Sequence, residues 1–538
     1  MKIIRKIMIL TLIIIIGSFQ LSSQEKYHNH RAMAQMIDAM SRDHSTVCSA
    51  KSLVKTDGGK DIWLVSIGTG DKDNKPAVAV LGGIEGNHIL GKEIALGFAS
   101  TILKNQQTPE IKELLNKITF YVLPDISPDA TEQFFAETKY ERIVNTSATD
   151  DDKDFSINED PYEDLNNDGY ITHIRVRDPS GIFTENKEDQ RIMTKAELTK
   201  GESGGYSLYS EGFDNDKDGK YNEDGEGGVN LNRNLTYNYE EFGTNAGLYP
   251  VSEPETKAVL DFLYERFNIY ATFAFGPQDN LGQPMKSAER PAQGRKITSI
   301  TKSDEIINKL VSDRYHEITG AKGAPVTSNP PGNFMEWSYF HYGRYSFSTP
   351  AWWFPVEKGL NAEVAFLKFA EENKISDVFI PWREIKHPDF PGKETEVGGI
   401  KPFAMMNPPE DTLGDLISAN YKFITTIAAL HPELEFLDIE TEDLGENVFR
   451  ISLKIHNKGV FATCAEAGNR NIWTKVMRLT IEPGKGQTIL SGLKVQNIQR
   501  LEGDQSEEFS WLISGKGNIT INAGAINTGT ITTTLDLR

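Results

Sequence analysis

Glu85 and His88 stand three residues apart in the stretch Gly82-Gly83-Ile84-Glu85-Gly86-Asn87-His88. A carboxylate and an imidazole are both good donors to zinc, and a catalytic zinc needs three protein ligands and one open position. The apolar run Ala77-Val78-Ala79-Val80-Leu81 precedes the stretch and Ile89-Leu90-Gly91-Lys92-Glu93-Ile94-Ala95-Leu96 follows it. That pattern predicts a strand-to-helix turn from which side chains can project into a cleft. Two acidic segments offer a different chemistry. Asp164-Leu165-Asn166-Asn167-Asp168-Gly169 and Asp214-Asn215-Asp216-Lys217-Asp218-Gly219 set side-chain oxygens at alternate positions before a glycine, as the opening of a calcium loop does. Asp164, Asn166 and Asp168, and likewise Asp214, Asp216 and Asp218, are therefore candidate calcium ligands. The twelfth position, a bidentate Glu in a full loop, is Arg175 in the first segment and Gly225 in the second, where Asp224 or Glu226 could substitute.

The Glu85–His88 stretch resembles the Gly-x-His-Gly-x-Glu turn of the carboxypeptidase A/B-like zinc metallocarboxypeptidases, with acid and imidazole exchanged. Three further segments carry the resemblance, which covers the chain from about Tyr27 to Ala429. Gly228-Val229-Asn230-Leu231-Asn232-Arg233-Asn234 is similar to the family's Asp-Leu-Asn-Arg-Asn segment. Pro250-Val251-Ser252-Glu253-Pro254-Glu255-Thr256 looks like the Ser-Glu-Pro-Glu-Thr that opens a helix. Glu336-Trp337-Ser338-Tyr339 and Tyr345-Ser346-Phe347-Ser348 resemble the stretch that delivers the general base.

The resemblance implies zinc on Glu85 and His88 and a C-terminal carboxylate gripped by Asn232 and Arg233. The planar fork of an arginine suits a carboxylate, to which it donates two parallel hydrogen bonds. It also implies an oxyanion-stabilising arginine, for which Arg175 is the best candidate and Arg177 the other. In the same frame the general base falls on Pro350, and proline has no titratable group. The third zinc ligand, a His due within residues 270–276, is missing, since no His occurs between His173 and His316. The capping Tyr is replaced within Val326-Thr327-Ser328-Asn329. No residue is left to name as catalytic. The resulting expectation is a protein that recognises the C-terminal carboxylate of a peptide or peptidoglycan stem without efficient hydrolysis. The alternative is an active zinc metallocarboxypeptidase with a rearranged site.

The elements that must position these residues are legible in outline. Apolar runs at 77–81 and 118–123 flank a helical pattern at 90–104, and a helix at 253–265 precedes a strand at 269–275. Together they predict an α/β domain with a mixed sheet flanked by helices over residues 25–432, with an acidic insertion at 145–228, and the resemblance implies that this sheet is carboxypeptidase-like. From residue 433 to 538 short alternating segments between Gly, Asn and Asp turns predict an all-β sandwich of roughly 100 residues.

Residues 1–24 read as a signal peptide: Lys2, Arg5 and Lys6, then the apolar run from Ile7 to Ile16. That run is shorter than the ~20 residues a membrane span requires. A secreted or periplasmic protein is expected. The formal charge of −20 argues against nucleic acid and anionic membranes as partners. The 2 cysteines, Cys48 and Cys464, do not make a disulfide framework.

Overall fold

The computed structural model describes residues 26–149, 157, 160–222, 225, 227–289 and 297–538. The expected leader at 1–24, and the substitute acids Asp224 and Glu226, lie outside the described residues. In chain order the first twelve strands are β1 (Cys48–Lys55), β2 (Asp61–Ile67), β3 (Ala77–Leu81), β4 (Thr119–Leu123), β5 (His173–Arg177), β6 (Phe183–Glu185), β7 (Met193–Lys195), β8 (Tyr206–Ser210), β9 (Ile269–Phe275), β10 (Tyr345–Thr349), β11 (Phe379–Ile385) and β12 (Thr395–Ile400).

The central sheet runs β1-β2-β4-β3-β9-β10. Its inner pairs β3–β4, β3–β9 and β9–β10 are parallel, whereas β1–β2 and β2–β4 are antiparallel, so the sheet is mixed. Every residue of β3, β4, β9 and β10 is buried, as expected of strands covered on both faces. Helices His30–Asp43, Ile89–Lys104, Lys302–Thr319 and Leu413–Ala428 cover one face through Met33, Phe98, Val311 and Phe423. Helices Pro254–Glu265 and Phe334–Phe340 cover the other, where Trp337, Phe262 and Leu231 pack together. Among the described residues no helix is long and apolar enough to cross a membrane.

The acidic insertion is more than loops. It supplies β5 to β8, which join β11 and β12 in a second sheet of order β11-β12-β5-β8-β6-β7. These strands are only three to seven residues long, and their core is Ile174, Val176 and Val397. Short segments with half-exposed polar residues give little period-two signal, so they read as acidic loop in the sequence.

The C-terminal segment forms β13 (Leu434–Asp443), β14 (Val448–Asn457), β15 (Met477–Glu482), β16 (Thr488–Ser491), β17 (Val495–Ile498), β18 (Gln505–Ser514), β19 (Gly517–Ala525) and β20 (Gly529–Leu537). They make two four-stranded sheets, β13-β14-β18-β16 and β17-β15-β19-β20, around Ile451, Ile455, Leu479, Trp511 and Ile521. Alternating burial along β14, β18 and β19 puts one face of each strand inward, the signature that the sequence pattern predicts. Buried polar groups tie this part to the α/β part. Arg344 donates to the Trp473 carbonyl at 2.8 Å, and Asp304 accepts from the Glu466 amide at 2.9 Å. Cys48 and Cys464 are both free thiols.

Candidate functional site

The turn between β3 and the helix Ile89–Lys104 is shaped by its glycines. A Cβ on Gly82 would lie 2.2 Å from the Gly91 carbonyl oxygen. Gly83 adopts a left-handed φ of +57°, and a Cβ there would lie 2.3 Å from Asp125 Oδ1. The turn is thereby pressed against the loop after β4. It delivers Glu85 and His88 to the C-terminal ends of the parallel strands, where open α/β sheets bind ligands.

His88 is 1% exposed and precedes the first helical residue. Its Nε2 lies 3.1 Å from the Pro350 carbonyl oxygen, and its Nδ1 has no hydrogen-bond partner. A carbonyl only accepts, so Nε2 carries the proton and Nδ1 presents a lone pair. Burial pushes the imidazole down to about 4, against a smaller opposing pull from the Pro350 carbonyl. Because the folded value lies below the ordinary 6.5, this group adds stability that is complete above about pH 6.5 and is lost as pH falls through about 4. The expected loss is about 3 kcal/mol as an upper bound. Urea titrations at several pH values check this: His88→Gln should flatten the pH dependence between 4 and 6.5, and an unchanged slope would remove His88 as its source.

Glu85 is half-buried, with its carboxyl enclosed by amides. Asn230 Nδ2 donates to Oε1, and Asn232 Nδ2 donates to Oε2 at 2.8 Å. Asn232 Nδ2 also donates to Gln278 Oε1 at 2.8 Å, and its Oδ1 accepts from the Phe334 amide at 2.9 Å. Both ends of the Asn232 amide are thus engaged within the protein. Burial raises the Glu85 carboxyl, while Asn232, Asn230 and the charge of Arg233 oppose the rise. Asn230 and Gln278 were not singled out from the sequence. The available signal was a polar residue two positions from Asn232, and another just after the buried strand β9.

Zinc with three protein ligands does not fit this arrangement. Both Glu85 oxygens accept amide hydrogen bonds, which leaves His88 Nδ1 as the donor there with a free lone pair. The third ligand would have to come from β9, whose residues Ile-Tyr-Ala-Thr-Phe-Ala-Phe contain no imidazole, thiol or carboxylate. Among the described residues the one place where three such donors gather is elsewhere, at Asp214, Asp216 and Asp218.

Arg233 ends the short helical turn Leu231–Arg233 and is half-buried. Among the described residues its side chain makes one hydrogen bond, a long contact of 3.5 Å to the Thr244 carbonyl, and no described carboxylate pairs with it. Arg175 lies on β5 in the second sheet. Its guanidinium meets Glu396 at 2.7 Å and Glu185 at 3.4 Å and sits 4.6 Å from the Trp382 ring. Arg177, on the same strand, pairs with Glu394 at 3.3 Å. The structure therefore joins Glu85, Asn232 and Arg233 in one neighbourhood, and finds the contacts of Arg175 and Arg177 within the second sheet.

The two acidic loops differ. In the first, Asp164 accepts from the Gly169 amide at 2.8 Å, Asn166 from the Asp168 amide at 2.9 Å and Asp168 from the Tyr170 amide at 3.0 Å. In the second, carboxylate oxygens of Asp214, Asp216 and Asp218 all lie within 4.8 Å of one another. Asp389 comes to the same loop, accepting from the Asp214 amide at 3.2 Å. Such spacing suits oxygen ligands at about 2.3–2.6 Å from one calcium ion.

Residues 33–181 match the family described as zinc carboxypeptidase, and residues 433–536 match a domain of unknown function (DUF8731). Human carboxypeptidase D is 22% identical over 139 residues, covering 25% of this chain and 10% of that protein. Rat carboxypeptidase Z is 28% identical over 116 residues, covering 20% of this chain and 18% of that protein. The match thus spans less than a fifth of either relative. Among solved structures, bovine thrombin-activatable fibrinolysis inhibitor aligns with a TM-score of 0.43 at 15% identity, covering 76% of this chain and 98% of that one. Carboxypeptidase A from Helicoverpa armigera aligns with a TM-score of 0.41 at 12% identity, covering 76% and 74%. The mixed sheet flanked by helices carries two further all-β sheets in its C-terminal segment. Over residues 33–181 the chain is therefore similar to the zinc carboxypeptidases.

Proposed function

We propose that this chain is an extracytoplasmic carboxypeptidase-fold protein that holds the C-terminal carboxylate of a peptide or peptidoglycan stem and does not hydrolyse it efficiently. The observation that carries the reading is the commitment of both Glu85 oxygens to the amides of Asn230 and Asn232. In the frame of the family resemblance Pro350 also falls at the general-base place, and proline offers no proton acceptor to activate a water. Support for carboxylate recognition comes from Arg233, a guanidinium without a carboxylate partner among the described residues. The leader-like residues 1–24 support export. Calorimetric titration with one peptide in two forms tests the reading: a free C-terminus should bind, and the C-terminally amidated form should not. Equal affinity for both would reject it.

Calcium belongs to the same proposal, at Asp214, Asp216 and Asp218. An ion there would neutralise a loop that otherwise repels itself. Limited proteolysis should show cleavage within residues 205–228 slowed by calcium and not by magnesium. Asp216→Asn should remove most of that protection. Protection unchanged in the variant would place the ion elsewhere.

A further inference from the structure

Beside the helix Ala362–Glu372 and the segment that follows β12 opens a groove of about 740 Å³, within the roughly 300–1,000 Å³ of small-ligand sites. Its apolar lining is mostly aromatic. Tyr27, Phe134 and Phe403 form one group, with successive ring centroids 5.0 and 5.3 Å apart, and Trp352 and Phe369 form a second at 6.1 Å. All of these but Phe403 are half-buried, which leaves ring surface open to solvent. The groove abuts the Glu85–His88 turn. Asn407, in its lining, donates to the Asn87 carbonyl at 2.8 Å, and Trp352 lies two residues after Pro350, whose carbonyl meets His88 at 3.1 Å.

Two donors stand unspent among these rings. The Trp352 indole N–H has no acceptor among the described residues, whereas those of Trp353 and Trp382 donate to carbonyls at 2.8 Å. Lys139 lies 5.5 Å from the Phe134 ring centroid and 5.9 Å from that of Tyr170, and pairs with no described carboxylate. Lys401, by contrast, is held by Asp377 at 2.7 Å. Glu410 and Asp411, both exposed, add acceptors to the lining. With the formal charge of −20 they disfavour an anion. None of the lining residues belongs to a strand, so an extended peptide finds no sheet edge to join. The matching ligand is uncharged, has flat apolar faces, and offers both carbonyl acceptors and hydroxyl donors.

We propose that this groove binds a neutral N-acetylated saccharide. The C–H face of a sugar ring lies on the negative face of an aromatic ring, as at Trp352 or Phe134. An acetamide carbonyl accepts from Trp352 Nε1 or Lys139 Nζ, and sugar hydroxyls donate to Glu410 and Asp411. Resting on the carboxylate recognition proposed above, this narrows the ligand from a free peptide to peptidoglycan, with glycan in the groove and its stem directed to the neighbouring turn.

Calorimetric titration of the purified protein with a β-1,4 tetramer of N-acetylglucosamine tests this, with cellotetraose, which has hydroxyls in place of the acetamides, as the comparison. The acetylated tetramer should bind with a Kd below about 1 mM, and cellotetraose at least about threefold more weakly. Trp352→Phe, which keeps a ring but removes the N–H, and Lys139→Met, which keeps the length but removes the ammonium, should each weaken the acetylated tetramer about three- to tenfold. Thermal melts verify that both variants fold. No binding of the tetramer to the folded wild type overturns the proposal, as does affinity unchanged in both variants. Equal affinity for cellotetraose removes the acetamide from it and overturns it too. If both variants weaken a free-acid peptide and not the tetramer, the groove takes peptide instead. The tetramer carries no carboxylate, so its failure leaves the free-acid and amidated peptide comparison standing, and failure of that comparison leaves the saccharide result standing.

Discussion

Replacing Arg233 with alanine is expected to weaken binding of a peptide with a free C-terminus about ten- to hundredfold. A charge-assisted hydrogen bond contributes about 1.5–3 kcal/mol, and each 1.4 kcal/mol is tenfold in Kd. The protein itself should tolerate the change, because Arg233 is half-buried and makes one marginal contact, to the Thr244 carbonyl. Arg233→Lys separates fork from charge. A lysine keeps the point charge but not the two parallel donors, so affinity between those of the wild type and the alanine variant is expected. Calorimetry on the three proteins, with thermal melts to verify folding, measures this directly. Undiminished affinity in Arg233→Ala would remove the clamp, and with it the proposed ligand.

The largest stability effect is expected at Asp125. Its carboxyl is fully buried beside Lys92, whose ammonium lies 3.9 Å away, equally buried and without a hydrogen bond. Asp125 also accepts from the Thr131 hydroxyl at 2.6 Å and occupies the space beside Gly83. Burial raises its carboxyl, and the charge of Lys92 opposes that rise first. Removing one partner of a buried pair strands the other charge, at a cost of about 3–5 kcal/mol. Asp125→Ala should therefore lose stability on that scale in urea titration. Lys92→Met in the same chain should restore much of it, since methionine fills similar space without a charge. If the double variant is no more stable than Asp125→Ala, the loss came from the Thr131 contact or from packing, and not from the stranded ammonium.

Much of the fold could be read from residue patterns, and the reason is physical. Uninterrupted apolar runs such as Ala77–Leu81 and Ile269–Phe275 are strands buried on both faces, which is where they lie. The Ser-Glu-Pro-Glu opening at 252–255 marks the start of a helix, and Pro254 is its first residue. The second sheet was not legible, because strands such as Phe183–Glu185 are too short and too polar to show a period. Within the site, the residue types at 85, 88 and 350 were plain. Their partners were not. Asn230 meets Glu85 from 145 positions along the chain, and Pro350 meets His88 from 262 positions away. Arg175 finds Glu396 across 221 positions. Contacts at such separations are set by how the strands pair, which local pattern does not encode.

The most direct measurement is the zinc content of the purified protein after dialysis against a weak chelator, paired with release of the terminal residue from a plain oligopeptide. The side chains around Glu85 and His88 predict zinc well below one ion per chain and no turnover above background. One zinc retained per chain, with hydrolysis inhibited by phenanthroline and restored by added Zn²⁺, would contradict them.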